Sequence, residues 1–142
     1  MSDDDPNVRK RAAIAEIFPK TPFIGRMGMT FEVYEPDHVR MRLPFREDLT
    51  NDGVVYHGGV VAALIDTTGA AAAWSNHDFD RGSKASTVSM TVNYVGAARQ
   101  SDLLCTARTV RRARELIFLE IEATDADGRV VASAVQTYRI TE

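Results

Sequence analysis

The stretch from His57-Gly58-Gly59 through VVAALIDTTGAAAAW to Trp74 constrains the fold more than any other part of the chain. Between Val60 and Trp74 only Asp66, Thr67 and Thr68 carry polar side chains, and the apolar residues cover every side of a helical wheel. A helix that is apolar all round is a buried helix. This one is too short, too rich in Ala and Gly, and too abruptly broken by a carboxylate to span a bilayer. Its expected place is the centre of a protein in which something broad covers it, and a sheet covers a helix broadly.

Asp66 needs an explanation, because a carboxylate in a buried helix costs roughly several kcal/mol unless it is paired, reached by water or protonated. It either sits at a wet subunit edge or bonds Thr67 or a neighbouring backbone amide, or it is a reactive carboxylate poised by partial desolvation. Gly58 and Gly59 add to the second reading. Without side chains their backbone N–H groups are open to a ligand, and the helix N-terminus suits a developing oxyanion. Asp66 lies seven residues beyond Gly59, which along a straight helix is about 10 Å. One small carbonyl cannot touch both. If the helix is continuous and both groups serve one site, they come from two copies of the chain, in a homodimer with sites on the subunit boundary.

The 142 residues suit one domain, spanning 1–142, with a sizeable core. A net charge of -3 argues against a general nucleic-acid binder. No Lys/Arg-led apolar segment resembles a signal peptide, so a cytoplasmic setting is expected. Cys105 is the single cysteine, which excludes an internal disulfide, and it is expected to be a small buried residue; the three histidines lack ligand spacing, so no metal is expected.

Residues 3–18 predict a first helix, with Asp3, Asp4 and Asp5 at its N-terminal end, Pro6 at its first position, and Val8, Ala12, Ala15 and Phe18 on one apolar side. Pro19 and Pro22 are expected to end it, so that residues 1–22 form an N-terminal helical extension, with Phe23–Gly28 a connector. Met29–Glu35 looks extended, and Val39, Met41 and Leu43 alternate with arginines as in a half-buried strand. Phe45–Tyr56 is a long polar loop. Beyond the central helix, Ala85–Val95, Leu103–Val110, Leu116–Thr124 and Val130–Ile140 predict four strands in a meander, with Asp125-Ala126-Asp127-Gly128 as a hairpin turn. The class is α+β, an antiparallel sheet curled around one helix.

Asn51, His57-Gly58-Gly59 and Asp66, followed by STVSMTVNYV at Ser86–Val95, resemble the hotdog-fold acyl-CoA thioesterases. The likeness is greatest to the phenylacetic-acid-degradation (PaaI-like) group of the 4-hydroxybenzoyl-CoA thioesterase superfamily, and it extends over residues 23–141. It implies a six-stranded sheet around one long helix, dimers with a continuous sheet, and dimers that pair into tetramers. By this resemblance Asp66 is the general base or nucleophile acting on the thioester of an acyl-CoA. The backbone N–H of Gly58 or Gly59, across the dimer boundary, polarises the carbonyl; Asn51 and His57 help hold the carbonyl or the leaving sulfur, and Thr87 assists Asp66 or its water.

That chemistry needs a carboxylate and donors aimed at the oxyanion, with no metal or organic cofactor, coenzyme A being part of the substrate. Arg108, Arg111, Arg112 and Arg114 form either a solvated hairpin end or a grip for CoA phosphates, and Arg81 and Lys84 carry the same two readings. Alternatives remain a hotdog hydratase or dehydratase, for which no closely spaced His–Asp pair is seen, and a noncatalytic acyl-CoA binder, which would normally need an attached effector module. The apolar residues suit aryl, medium-chain or branched acyl groups alike.

Overall fold

The computed structural model describes residues 4–142, so Asp3 lies outside the described residues. The chain runs through α1 (Pro6–Ile17), a 3-10 turn (Phe18–Lys20), α2 (Pro22–Met27), β1 (Thr30–Glu35) and β2 (His38–Leu43). Then come α3 (Gly58–Ser75), β3 (Lys84–Tyr94), β4 (Leu103–Ala113), β5 (Leu116–Asp125) and β6 (Val130–Thr141). All six strands form one antiparallel sheet in the order β1-β2-β4-β5-β6-β3, and α3 touches every strand. This is the α+β hotdog architecture expected from the sequence. No helix among the described residues is long and apolar enough to cross a membrane.

The predicted four-strand meander is corrected. Only β4, β5 and β6 follow one another; β2 occupies the other side of β4, so β3 crosses to the far edge and pairs with β6. The outer edge of β3 pairs with no strand among the described residues.

The segment expected to connect Phe23 to Gly28 is also corrected, because it forms α2. Pro22 takes a first-turn position, where its missing N–H costs nothing, and Gly28 ends the helix in the left-handed region at φ 80°. The Arg46 guanidinium donates to the carbonyls of Arg26 (2.9 Å) and Met27 (3.1 Å), closing that end. In α1, Asp5 caps the first turn by accepting the Asn7 N–H at 2.8 Å, but no residue of this helix is buried, and of the expected apolar side Phe18 alone, in the turn that follows, packs against the core. The helix lies instead against the turn after α3, with Arg11 Nη2 donating to the His77 carbonyl at 3.2 Å.

The core is the inner face of the sheet, with Val39, Met41, Leu43, Leu103, Ala107 and Leu119, against Val61, Leu64, Ile65 and Ala72 of α3. Cys105 is fully buried there, and burial pushes its thiol up to about 12, which makes it inert. The sheet covers only one side of α3. Ala62, Asp66, Ala70 and Trp74, four residues apart, stay partly exposed, so a helix apolar all round is not covered all round within one chain.

A bulge between Thr109 and Arg111 reverses the in-and-out alternation near the end of β4. Val110 is pushed outward (52% exposed) and Arg112 turns inward. Its guanidinium donates to Asp37 Oδ1 (2.7 and 3.0 Å) and to the Ala73 carbonyl (2.9 Å) at the C-terminal end of α3, where a cation also suits the helix dipole. Arg112 therefore has a structural job in the fold, beside the two readings, a solvated hairpin end or a grip for CoA phosphates, given to its cluster. Burial opposes the charge of Asp37, but hydrogen bonds from Asn76 and Arg112 outweigh it and hold the carboxyl below its usual range.

Arg112→Leu should lower unfolding free energy in urea by about 2 kcal/mol, the typical worth of a charged hydrogen bond. Because the folded Asp37 pKa is depressed, its contribution is present above the ordinary carboxylate pKa and is lost as pH falls through the folded value. The stability difference between the wild type and Arg112→Leu should therefore shrink progressively below about pH 4.

Candidate active site

Asp66 sits halfway along α3 on the open side of the helix. The hydroxyl of Thr87 on β3 donates to Asp66 Oδ1 at 2.6 Å, and the side-chain amide of Gln136 on β6 donates to the same oxygen at 2.7 Å. Oδ2 accepts no hydrogen bond among the described residues. One carboxylate oxygen is thus clamped by two strands, and the other is left open.

Thr87 reaches Asp66 because β3 is bulged. Pairing with β6 shifts between Thr87 and Ser89, so that Thr87 lies opposite Tyr138 and Met90 opposite Gln136. Val88 is the extra residue, 55% exposed. In a regular strand Thr87 would face away from Met90 and Val92; the extra residue puts all three on the helix side. Gln136 was not among the residues singled out from the sequence. A signal existed: Ala132, Ala134, Tyr138 and Ile140 alternate inward on β6, and Gln136 is the one polar residue in that phase, 2% exposed.

Asp66 and Thr87 open on a cleft of about 650 Å³. Ala63 and Ala70, one turn either side of Asp66, give it a low floor, and Phe18, Phe23 and Ile24 from the N-terminal segment form an apolar wall. α2 therefore borders the carboxylate.

At the start of α3, His57 is the capping residue, and its Nδ1 accepts the Gly59 N–H at 2.8 Å. Nδ1 is then the unprotonated nitrogen and Nε2 carries the hydrogen. The Gly59 N–H is engaged, whereas the Gly58 N–H donates to no acceptor among the described residues. The Gly58 carbonyl accepts from the Tyr94 hydroxyl at 3.1 Å. Gly58 lines a second cavity of about 470 Å³ with Val61, Tyr94 and Val95. α3 runs unbroken from Gly58 through Asp66, which separates the two by about 12 Å at 1.5 Å per residue. Within one chain they line different cavities.

Asn51 is exposed on a tight loop closed by its own N–H to the Val55 carbonyl (2.9 Å) and by the Thr50–Tyr56 bridge. Asp52 holds that turn by accepting from the amides of Val55 (2.8 Å) and Val54 (2.9 Å), which keep its carboxyl below the usual range. The loop feeds directly into His57, whose N–H donates to the Leu49 carbonyl at 3.1 Å. Asn51 and His57 are thus brought to the same end of α3 as Gly58, away from Asp66.

Of the basic residues, Arg81 in the 3-10 turn Phe79–Arg81 is 66% exposed, and Lys84 opens β3 opposite Thr141. Lys84 precedes Thr87 by three residues, about 10 Å along a strand. Arg81 and Arg114 line the same cleft beside Thr141, and Arg111 faces outward on β4 opposite Phe118. Arg108 is paired with Glu120 at 2.6 Å. Among the described residues no three His, Cys, Asp or Glu side chains are grouped to hold a metal ion.

Residues 53–132 match the thioesterase superfamily. Human acyl-coenzyme A thioesterase 13 is 27% identical over 104 residues, covering 72% of each chain. The PaaI protein of the E. coli phenylacetic acid degradation operon superposes with a TM-score of 0.82 over 94% of this chain and 95% of its own, at 17% identity. A hypothetical thioesterase of Streptococcus pneumoniae, solved with coenzyme A, superposes with a TM-score of 0.71 over 80% and 85%, at 22% identity. These two structural likenesses speak to the fold, and the matched segment contains the whole of α3 and β3. The chain belongs to the thioesterase superfamily.

Proposed function

We propose that the chain hydrolyses an acyl-CoA thioester to the free acid and coenzyme A, with Asp66 as general base, at a site shared by two copies of the chain. The observation that carries this reading is the clamped carboxylate: Oδ1 is held by Thr87 and Gln136 while Oδ2 is open to an apolar cleft. Oδ2 takes a proton from water as the water oxygen attacks the thioester carbon. The oxyanion is held by the Gly58 N–H at a helix N-terminus, and collapse of the tetrahedral intermediate expels the thiolate. Of the two glycine amides, Gly58 is assigned this role because the Gly59 N–H is occupied in holding His57. His57 Nε2–H and the Asn51 amide remain available to the carbonyl or the sulfur. No metal or organic cofactor enters these steps. Hydration of a double bond is less well supported, since both partners of Asp66 are neutral side chains and neither is a histidine.

The geometry supports a shared site. Asp66 is tied to one end of β3 through Thr87, and Gly58 to the other end through Tyr94. Two β3 edges paired antiparallel about a two-fold axis near Met90 and Thr91 would set Thr87 of one copy against Tyr94 of the other, bringing each Asp66 towards the other chain's Gly58. Exposed Val88 (55%), Tyr94 (53%) and Val95 (61%) would be covered in the process. Pairing of such dimers into tetramers belongs to the same proposal, as do Arg81, Lys84 and Arg111 as holders of the CoA phosphates. The wall of Phe18, Phe23 and Ile24 suits an apolar acyl group.

Asp66→Asn should leave the unfolding transition in place and reduce thiol release from the best of an acyl-CoA panel by at least about a hundredfold. Unchanged kcat would refute the base assignment. Gly58→Pro removes one N–H at a helix position that tolerates proline, after a residue whose extended backbone (φ -61°, ψ 133°) accepts it. Each variant alone should be nearly inactive. Unfolded and refolded together at equal concentration, they should recover about a quarter of wild-type activity, because half of the dimers are mixed and one of the two sites in each is intact. No recovery would place both groups in a single-chain site.

A further inference from the structure

We propose that Gln136, in space kept open by Gly69, is a positioning residue that decides which oxygen of Asp66 reacts. The proposal rests on Asp66 being the base, and adds to it a device built from two residues that stability alone does not explain.

Gln136 is 2% exposed, yet only one half of its amide is satisfied. Nε2 donates to Asp66 Oδ1 at 2.7 Å and lies 3.4 Å from both the Asp66 carbonyl and Thr87 Oγ1. Oε1 is buried with no hydrogen-bond partner among the described residues. An orphaned buried acceptor is unfavourable, and an apolar side chain of the same shape would avoid it. The amide cannot relieve this by turning over, since that would set its oxygen against a carboxylate oxygen. The carboxylate therefore orients the amide, and the amide in turn occupies Oδ1.

Gly69 supplies the second observation. It lies in the interior of α3, where glycine is a weaker helix former than alanine. A Cβ at this position would land on Gln136 Oε1, and would come within 2.8 Å of Gln136 Cδ and 2.7 Å of Ile121 Cδ1. The helix carries its poorest ordinary residue at the point where the amide passes. With Thr87 and Gln136 both on Oδ1, the carboxyl cannot rotate without breaking two hydrogen bonds, and Oδ2 is the oxygen left facing the cleft.

The test is steady-state kinetics and thermal unfolding of the full chain as Gln136→Met, Gln136→Ala, Gly69→Ala and the double variant Gly69→Ala/Gln136→Ala, beside Asp66→Asn. Gln136→Met should lower kcat about ten- to a hundredfold, as a small misplacement of a catalytic group does. KM should stay within about twofold, the pattern of an interaction made in the transition state. Tm should be unchanged or raised. Gly69→Ala should lower kcat in the wild type but cost little further in the Gln136→Ala background, because the amide is then absent and the one remaining close contact, the end of the flexible Ile121 side chain, can turn aside. If Gln136→Met keeps its kcat while Asp66→Asn is inactive, the inference falls and the base assignment stands. A fall in Tm with a raised KM would make Gln136 a structural residue and also overturn it. Effects of Gly69→Ala and Gln136→Ala that multiply would remove Gly69 from the device; should Gln136→Met not fold, this cycle decides the question. Full turnover by Asp66→Asn would instead defeat the underlying reading of Asp66.

Discussion

A carboxylate halfway along a helix packed on a sheet must be given donors or water, and the architecture around Asp66 is a way of supplying both. Two different strands bring one donor each to Oδ1, while the side of α3 away from the core leaves Oδ2 in a cleft. The small residues Ala63 and Ala70 keep the floor of that cleft low, and Gly69, one turn beyond Asp66, leaves room for the Gln136 amide to reach the carboxylate. Stability and chemistry make opposite demands here. The same core that excludes water from Leu64 and Ile65 must admit a charged group one residue further on.

The two ends of α3 are treated differently by the chain. At the N-terminal end the His57 ring takes up the Gly59 amide, while the Gly58 amide finds no acceptor among the described residues, so the positive end of the helix dipole is presented through that N–H. At the C-terminal end the last carbonyls are closed by Arg112, itself fixed by Asp37. A rigid helix anchored at its far end holds Gly58 and Asp66 at a constant separation, which a single small substrate group cannot bridge.

Much of this was legible in the sequence. The unbroken apolar run around Asp66 gave away a central helix and its one costly residue, and the period-two stretches gave away the strands, since both signals depend only on local alternation. Part of what alternation cannot show depends on its being broken. The bulges at Val88 and Val110 reverse the phase of their strands, so Arg112 points inward where a regular strand would turn it out, and Thr87, which only the family resemblance singled out, faces α3 for the same reason. Neither bulge is marked by a glycine or proline. α2 escaped because six residues carry too little periodicity, although Pro22 and Gly28 mark its two ends. The order of the strands was hidden for another reason: which edge β3 chooses depends on β2 having taken the free side of β4, a long-range choice that no local pattern records. Gln136 stood in plain alternation on β6 and was overlooked because a single polar residue among apolar neighbours passes for an ordinary surface position.

The extra residue at Val88 separates the numbering of the chain from the spacing of the sheet. It counts in the sequence but not in the ladder, where Thr87 stands opposite Tyr138 and Ser89 opposite Thr137. A relative lacking it would close the strand into even pairing with the hydroxyl still turned to its carboxylate, yet with one place fewer between that hydroxyl and the glutamine of the last strand. A motif search written with a fixed interval between those two donors would pass over an equally equipped site.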